Sequence, residues 1–155
     1  MIRTTISLCF AAALFLLTAS TRDVGAQTAH SQDERQYTDG PVTEVDYIHV
    51  DYGHFAEYVD WLNSKWKPTM EALKKAGLII DYKVFQANPK TPDQPNTYLW
   101  ITFKNGAAAL DKGPELEAVA AQVICSAECQ DKARVARGEY RRVLGTELVR
   151  EVILK

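Results

Sequence analysis

Between residues 45 and 85 the chain changes its hydrophobic period twice, and no other feature limits the fold as much. Val45, Tyr47, His49 and Asp51 alternate with Asp46, Ile48, Val50 and Tyr52. Period two with β-branched and aromatic residues specifies a strand over 45–51. Gly53 ends it. Phe55, Val59, Leu62, Trp66, Met70 and Leu73 then recur at steps of three and four, one apolar stripe along a helix over 55–76, with Tyr58 and Trp61 flanking it. Residues 78–85 (LIIDYKVF) return to alternation. A strand, a striped helix and a strand in direct succession are expected to bury the stripe on a sheet that holds both strands. Pro68 conflicts with this helix. It has no amide hydrogen and crowds the carbonyl of Ser64, so a bend is expected after Trp66, with a second segment ending at the C′ glycine Gly77.

The rest of the chain supplies partners for this unit. Prolines at 89, 92 and 95 mark an exposed loop over 86–96. Residues 97–103 (TYLWITF) read as a third strand, with Leu99, Ile101 and Phe103 opposite Tyr98, Trp100 and Thr102. A short helical piece over 107–111 precedes Pro114, which fits N1 of a helix carrying Leu116, Val119, Val123 and Ile124. Residues 130–144 are helix-permissive and rich in Lys132, Arg134, Arg137, Arg141 and Arg142. Asp131 and Glu139 interrupt the run, so it reads as a solvated face rather than an anion site. Residues 147–155 (ELVREVILK) close the chain as a strand. The order β-α-β-β-α-β, with extra helix before the last strand, predicts an α+β, ferredoxin-like domain over 42–155: a four-stranded antiparallel sheet with helices on one face.

Residues 1–26 are expected to be an export signal. Arg3 supplies a positive start, 6–17 (ISLCFAAALFLL) is an apolar core, and Val24-Gly25-Ala26 is a cleavage site before Gln27. Twelve apolar residues reach about 18 Å as a helix, against about 30 Å of hydrocarbon, so no stable membrane insertion is expected after cleavage. Residues 27–41, with His30, read as a polar linker. Removal of Arg3, Arg22 and Asp23 turns 18 basic and 20 acidic residues into 16 and 19, a net charge of −3. Such a balance gives no electrostatic footprint for nucleic acid. The expected location is periplasmic or secreted.

Cys125 and Cys129 remain after cleavage, and in an oxidising compartment such a pair favours a disulfide, with a turn or helix end at 126–128. Two free thiols are the alternative, and metal or redox chemistry a remoter one. A zinc site of Cys125, Cys129, His49 and His54 lacks a second paired motif. Walker loop, dinucleotide fingerprint and nucleophile elbow are all missing from the sequence, so no metal and no cofactor is expected.

Three features resemble the dimeric α/β-barrel group, which includes antibiotic-biosynthesis monooxygenase-like, NIPSNAP-like and stress-responsive barrel proteins. They are the strand–Gly53–helix opening, the run Trp66-Lys67-Pro68 ahead of the Ala76-Gly77-Leu78 helix exit, and the strand at 98–103 followed by a short helix. The nearest look is to exported members without an assigned reaction. The resemblance implies a homodimer whose two sheets face each other across a pocket. Aromatic residues on both faces of several strands point the same way, since an uncovered aromatic face calls for a partner surface. The expected pocket is lined by Tyr47, His49, Tyr98, Trp100 and Arg150, with His54 near its mouth. His49 is the proton-exchanging candidate for catalysis. An aromatic, sparsely polar cavity suits a small organic ligand. A non-catalytic binding dimer is the first reading. A cofactor-independent oxidoreductase on an aromatic substrate, with His49 moving a proton, and haem handling with His49 as axial ligand are the alternatives. Mass spectrometry of the exported protein should find Gln27 as the first residue, and a retained Met1 would remove the export reading.

Overall fold

In a computed structural model of the chain, the structure describes residues 35–155, all within one compact unit. The expected export signal, its cleavage site and His30 lie outside the described residues. Strands β1 (Tyr37–Val50), β2 (Asp81–Gln86), β3 (Thr97–Phe103) and β4 (Arg141–Leu154) form one antiparallel sheet in the order β2-β3-β1-β4. Helices α1 (Phe55–Trp61) and α2 (Lys67–Lys75) connect β1 to β2. Helices α3 (Gly106–Leu110), α4 (Gly113–Val123) and α5 (Ala127–Arg137) connect β3 to β4. This is the ferredoxin-like α+β arrangement, with additional helix before the last strand.

The core lies between the helices and one face of the sheet. Ile48, Val50, Leu99 and Phe103 from the sheet meet Tyr58, Leu62, Trp66, Met70 and Leu73 from the first helical connection. The buried stripe therefore runs through Tyr58 rather than Phe55 and Val59, and its steps of four, four, four and three carry the explanation of Pro68. At 3.6 residues per turn each step of four overshoots by about 40°. Residues Leu62–Trp66 form a π turn, in which the Lys67 amide donates to the Leu62 carbonyl. The widened turn absorbs the overshoot and lets Pro68 follow without an α-helical bond to Ser64. The buried Thr69 hydroxyl donates to the Lys65 carbonyl at 2.9 Å, meeting an acceptor in the distorted turn. Gly77, at φ +73°, closes α2 in the left-handed conformation that glycine adopts without steric cost. Tyr82 ties β2 to this helix: its ring meets Trp66 edge-on at 5.3 Å and its phenol donates to Glu71, an interaction that pushes its pKa up to about 12.

Three boundaries differ from the sequence reading. β1 begins at Tyr37, inside the segment read as linker. Asp39-Gly40-Pro41 looks like a turn, but it lies at an irregularity where the pairing with β4 shifts between Asp39 and Val42. Gly40 is required there, because a Cβ would come within 2.9 Å of the Glu151 Cβ. β4 begins at Arg141 rather than 147, so the helix expected over 130–144 stops at Arg137. β2 begins at Asp81, and Ile79 is tucked into the core just ahead of it.

Asn96 finishes the edge of β1. Its side-chain amide donates to the Val50 carbonyl at 2.7 Å, its side-chain oxygen accepts from the Val50 amide at 2.9 Å, and its own amide donates to the Ile48 carbonyl at 3.0 Å. A side chain thus continues the β1–β3 ladder just ahead of the first residue of β3. Asn96→Ala leaves the Val50 amide and carbonyl of a buried residue without these partners, and should cost about 1–3 kcal/mol. Urea unfolding should show this as a lower midpoint at unchanged slope.

Candidate functional site

Strand register decides which side chains share the sheet face turned away from the helices. Val42 pairs with Phe103 and Ile48 with Thr97, all buried, so the alternate positions Thr43, Val45, Tyr47 and His49 of β1 face the other way. Opposite them stand Thr102, Trp100 and Tyr98 of β3, and next to these Asp81, Lys83 and Phe85 of β2. The result is an aromatic strip without a helix over it among the described residues. Tyr47 meets Tyr98 edge-on at 5.6 Å, and Phe85 meets Trp100 at 4.7 Å and 55°. Trp100 is 37% and Phe85 40% exposed. Thr43 and Thr102 share a hydroxyl hydrogen bond at 3.1 Å farther along the face.

Two polar groups stand beside the strip. The Tyr47 phenol donates to Glu147 Oε2 at 2.6 Å, across the β1–β4 pair. This hydrogen bond, more than burial, raises the phenol's pKa above its ordinary value, because ionisation would set a phenolate against the carboxylate. His49 Nδ1 lies 2.9 Å from the Gln94 carbonyl, and Nε2 lies 3.8 Å from Asp51 Oδ1. A carbonyl can only accept, so Nδ1 carries a proton and in the neutral ring Nε2 keeps its lone pair. The proline-rich loop thus fixes the orientation and tautomer of the imidazole. Gly53, at φ +88°, turns the chain just after this point toward α1.

The structure brings Tyr47, His49, Tyr98 and Trp100 onto one face, and it does not bring Arg150 or His54 to them. Arg150 pairs with Val42, so it belongs to the helix-side face, where its guanidinium meets Asp39 at 3.3 Å and lies beside Gly106. The sequence reading placed it one residue out of phase, and a shift of one residue reverses the face. Glu147 is the polar residue that β4 supplies instead. His54 stacks on Tyr140 at 5.4 Å and contacts Glu57 at 3.0 Å, which holds it at the start of α1. Phe85 and Glu147 were missed. Phe85 shares its face with the charged Asp81 and Lys83, which mask an aromatic strip in the sequence, and Glu147 became visible only with the β1–β4 register.

On the helix side, Cys125 and Cys129 form a disulfide with a Cα separation of 5.9 Å, linking the loop after α4 to the first turn of α5. Ser126, between them, caps α5. Beside the disulfide is a cleft of about 270 Å³ against Trp61 and Arg137. Among the described residues, three or more His, Cys, Asp or Glu side chains are nowhere grouped to hold a metal, and no helix is long and apolar enough to cross a membrane.

Topology and the uncovered face define the class: a ferredoxin-like α+β protein with an aromatic open sheet face. No protein-family model matches the chain, and no curated protein matches it. Among solved structures it is similar to HapK from Hahella chejuensis, at 14% identity and a TM-score of 0.47 over 71% of this chain and 91% of that one. It is similar also to two dimeric ferredoxin-like proteins from uncultured marine organisms. Each has 8% identity and a TM-score of 0.47 over 76% of this chain, and the matches span 98% and 90% of those chains. Likenesses of this degree carry nothing about activity or ligand.

The Tyr47 phenol offers a direct check of the polar end. A phenol with a raised folded-state pKa adds stability below its ordinary value of about 10, and that contribution is lost as pH climbs past the raised value. In Glu147→Gln, Tyr47 should titrate nearer its ordinary value, read from its ring resonances by NMR. An unchanged titration would remove Glu147 as the cause.

Proposed function

We propose that the protein is an exported small-molecule-binding homodimer in which two open sheet faces enclose the ligand. The observation that carries this reading is the uncovered strip of Tyr47, Tyr98, Phe85 and Trp100. Exposing four aromatic side chains on one face of a small domain costs free energy that a facing apolar surface recovers, at roughly 25 cal/mol for each Å² covered. The last strand supports a second copy as that surface. β4 is a 14-residue edge strand whose Leu148, Val149, Val152 and Ile153 are between 39% and 50% exposed, so apolar residues stand on both of its faces. A long apolar edge left uncovered invites association, and a two-fold axis lets the same patch serve both copies. Export agrees with the disulfide, which persists in an oxidising compartment.

The ligand suited to this face is a small aromatic or alicyclic molecule with a hydroxyl or similar group directed to Tyr47, Glu147 and His49. A catalytic extension has one specific observation in its favour. With Nδ1 committed to the Gln94 carbonyl, His49 Nε2 is presented as a proton acceptor, as a cofactor-independent oxidation of an electron-rich ring requires. The same nitrogen is the one that an axial haem ligand uses, so haem addition belongs in the test.

Sedimentation velocity at micromolar concentration should give twice the chain mass. Val149→Glu, on the open face, should give a folded monomer with unchanged far-ultraviolet circular dichroism. A wild-type monomer under these conditions would sink the enclosed-pocket reading. Once a ligand is found, Trp100→Ala should weaken it by roughly tenfold or more, the loss of an aromatic anchor being about 1.4 kcal/mol or greater. A Soret shift on haem addition, lost in His49→Ala, would replace the organic ligand with haem.

A further inference from the structure

The cleft on the helix side has a charge pattern that folding alone does not explain. It lies where Trp61 and Lys65, from the end of α1 and the π turn, face Arg134 and Arg137 of α5, with Ile124 and the disulfide as apolar wall. Among the described residues three cations line it, and no carboxylate does. Among the ion pairs of the described residues, none involves Lys65, Arg137 or the neighbouring Arg141. Arg134 has only an exposed contact with Asp131, at 3.4 Å, of the weak kind that water and salt readily exchange.

Arg137 is the centre of the pattern. Its guanidinium lies 4.1 Å from the centroid of the Trp61 ring, and its Nε is buried without a hydrogen-bond partner among the described residues. A buried donor left unpaired is costly, and a charged one more so. Arg141 adds to the cost rather than relieving it: it sits over Tyr58 and Trp61, at 5.6 and 5.5 Å, and donates to the Tyr58 hydroxyl at 3.4 Å. Burial first, and Arg141 second, pull the Arg137 pKa below its ordinary value. Burial and Arg141 thus disfavour the charge of this side chain; the Trp61 face offsets part of that cost, and among the described residues no carboxylate pairs with it.

We propose that this cleft binds a small organic anion with a planar ring, an aromatic carboxylate being the class that fits. The carboxylate takes the terminal N–H groups of Arg137 in the bidentate geometry that arginine offers, and Lys65 and Arg134 complete the positive end. The indole of Trp61 and the apolar wall accommodate the ring. A volume of about 270 Å³ falls just under the range of sites for drug-sized ligands, which suits a single ring. The disulfide fixes the wall by tying the loop after α4 to α5. The site lies in the helical layer and needs no second copy, so it stands apart from the dimer pocket.

Benzoate titrated into the purified protein, followed by calorimetry and by the indole N–H resonances, is the test. The expected result is saturable binding that shifts the Trp61 indole and leaves that of Trp100 in place. Raising the salt concentration should weaken it, and benzyl alcohol, which has the ring without the charge, should bind about tenfold more weakly or not at all. Arg137→Gln should weaken benzoate by about tenfold or more. If that variant does not fold, Lys65→Gln combined with Arg134→Gln, both on exposed side chains, should weaken it in the same direction. Benzoate binding unaltered in the variants, a shift at Trp100 instead of Trp61, or inorganic phosphate binding as tightly as benzoate would each overturn the assignment.

Discussion

The packing of one discontinuous helix on one face of β1 and β3 sets the rest of the structure. Tyr58, Leu62, Trp66, Met70 and Leu73 can all reach the sheet only because the helix widens by a π turn between Leu62 and Trp66. Each fully buried apolar side chain of this size contributes about 1.5–3 kcal/mol. A straight α-helix would carry Met70 and Leu73 out of line with Tyr58 and forfeit part of that burial. Pro68, the residue that looked like a defect, sits just after the widened turn and disfavours the regular alternative. The stripe commits Val42, Ile48, Val50, Leu99 and Phe103 to the helix side and so turns their alternates outward.

That division gives the two layers different chemistry. The sheet's outer face is aromatic, has Tyr47, Glu147 and His49 beside the aromatic strip, and is shaped by cross-strand register. The helical layer has a cleft shaped by the meeting of the π turn with α5, and its charged lining groups are all cationic. The π turn serves both. It aligns the buried stripe, and it presents Lys65 at the cleft while Trp61 turns toward Arg137.

Much of the fold was legible in the sequence because period two and the helical period differ sharply. The third strand was read with its observed bounds of Thr97–Phe103, since TYLWITF alternates without interruption between Asn96 and Lys104. The four-residue steps from Leu62 to Trp66 to Met70 were a readable sign of the π turn. The boundary errors have a common cause. Asp39-Gly40-Pro41 and Leu144-Gly145 look like turns, yet both occur at irregularities in the β1–β4 pairing. A bulge preserves the strand while changing its phase, so local composition cannot place the residues beyond it. This cost the reading Arg150 and concealed Glu147. Asn96 was hidden for a different reason: its role is to complete a ladder, which only a tertiary neighbour reveals. The run from Lys132 to Arg142 read as solvated because Asp131 and Glu139 interrupt it in sequence. In space, Arg134 and Arg137 share the cleft without either acid among its walls.

Electrostatics separates the two surfaces further. At the open face, the Tyr47–Glu147 hydrogen bond keeps the phenol protonated and leaves a carboxylate beside the aromatic strip, which disfavours a second anion there. At the cleft, three lining cations without a carboxylate among the described lining residues favour one. A neutral ring bearing a hydroxyl and a ring bearing a carboxylate would therefore partition between opposite layers of the same domain. The chemistry of each layer follows from which strand or helix edge brings its charges in: β4 delivers Glu147 to the sheet face, and α5 delivers Arg134 and Arg137 to the helical side. The chain joining those two elements is the short turn through Tyr140, whose ring stacks on His54 and whose carbonyl accepts from Asp51. Through that turn the start of α1 is tied to the chain between the end of α5 and the start of β4, and the β1–β4 register then sets Glu147 on the sheet face.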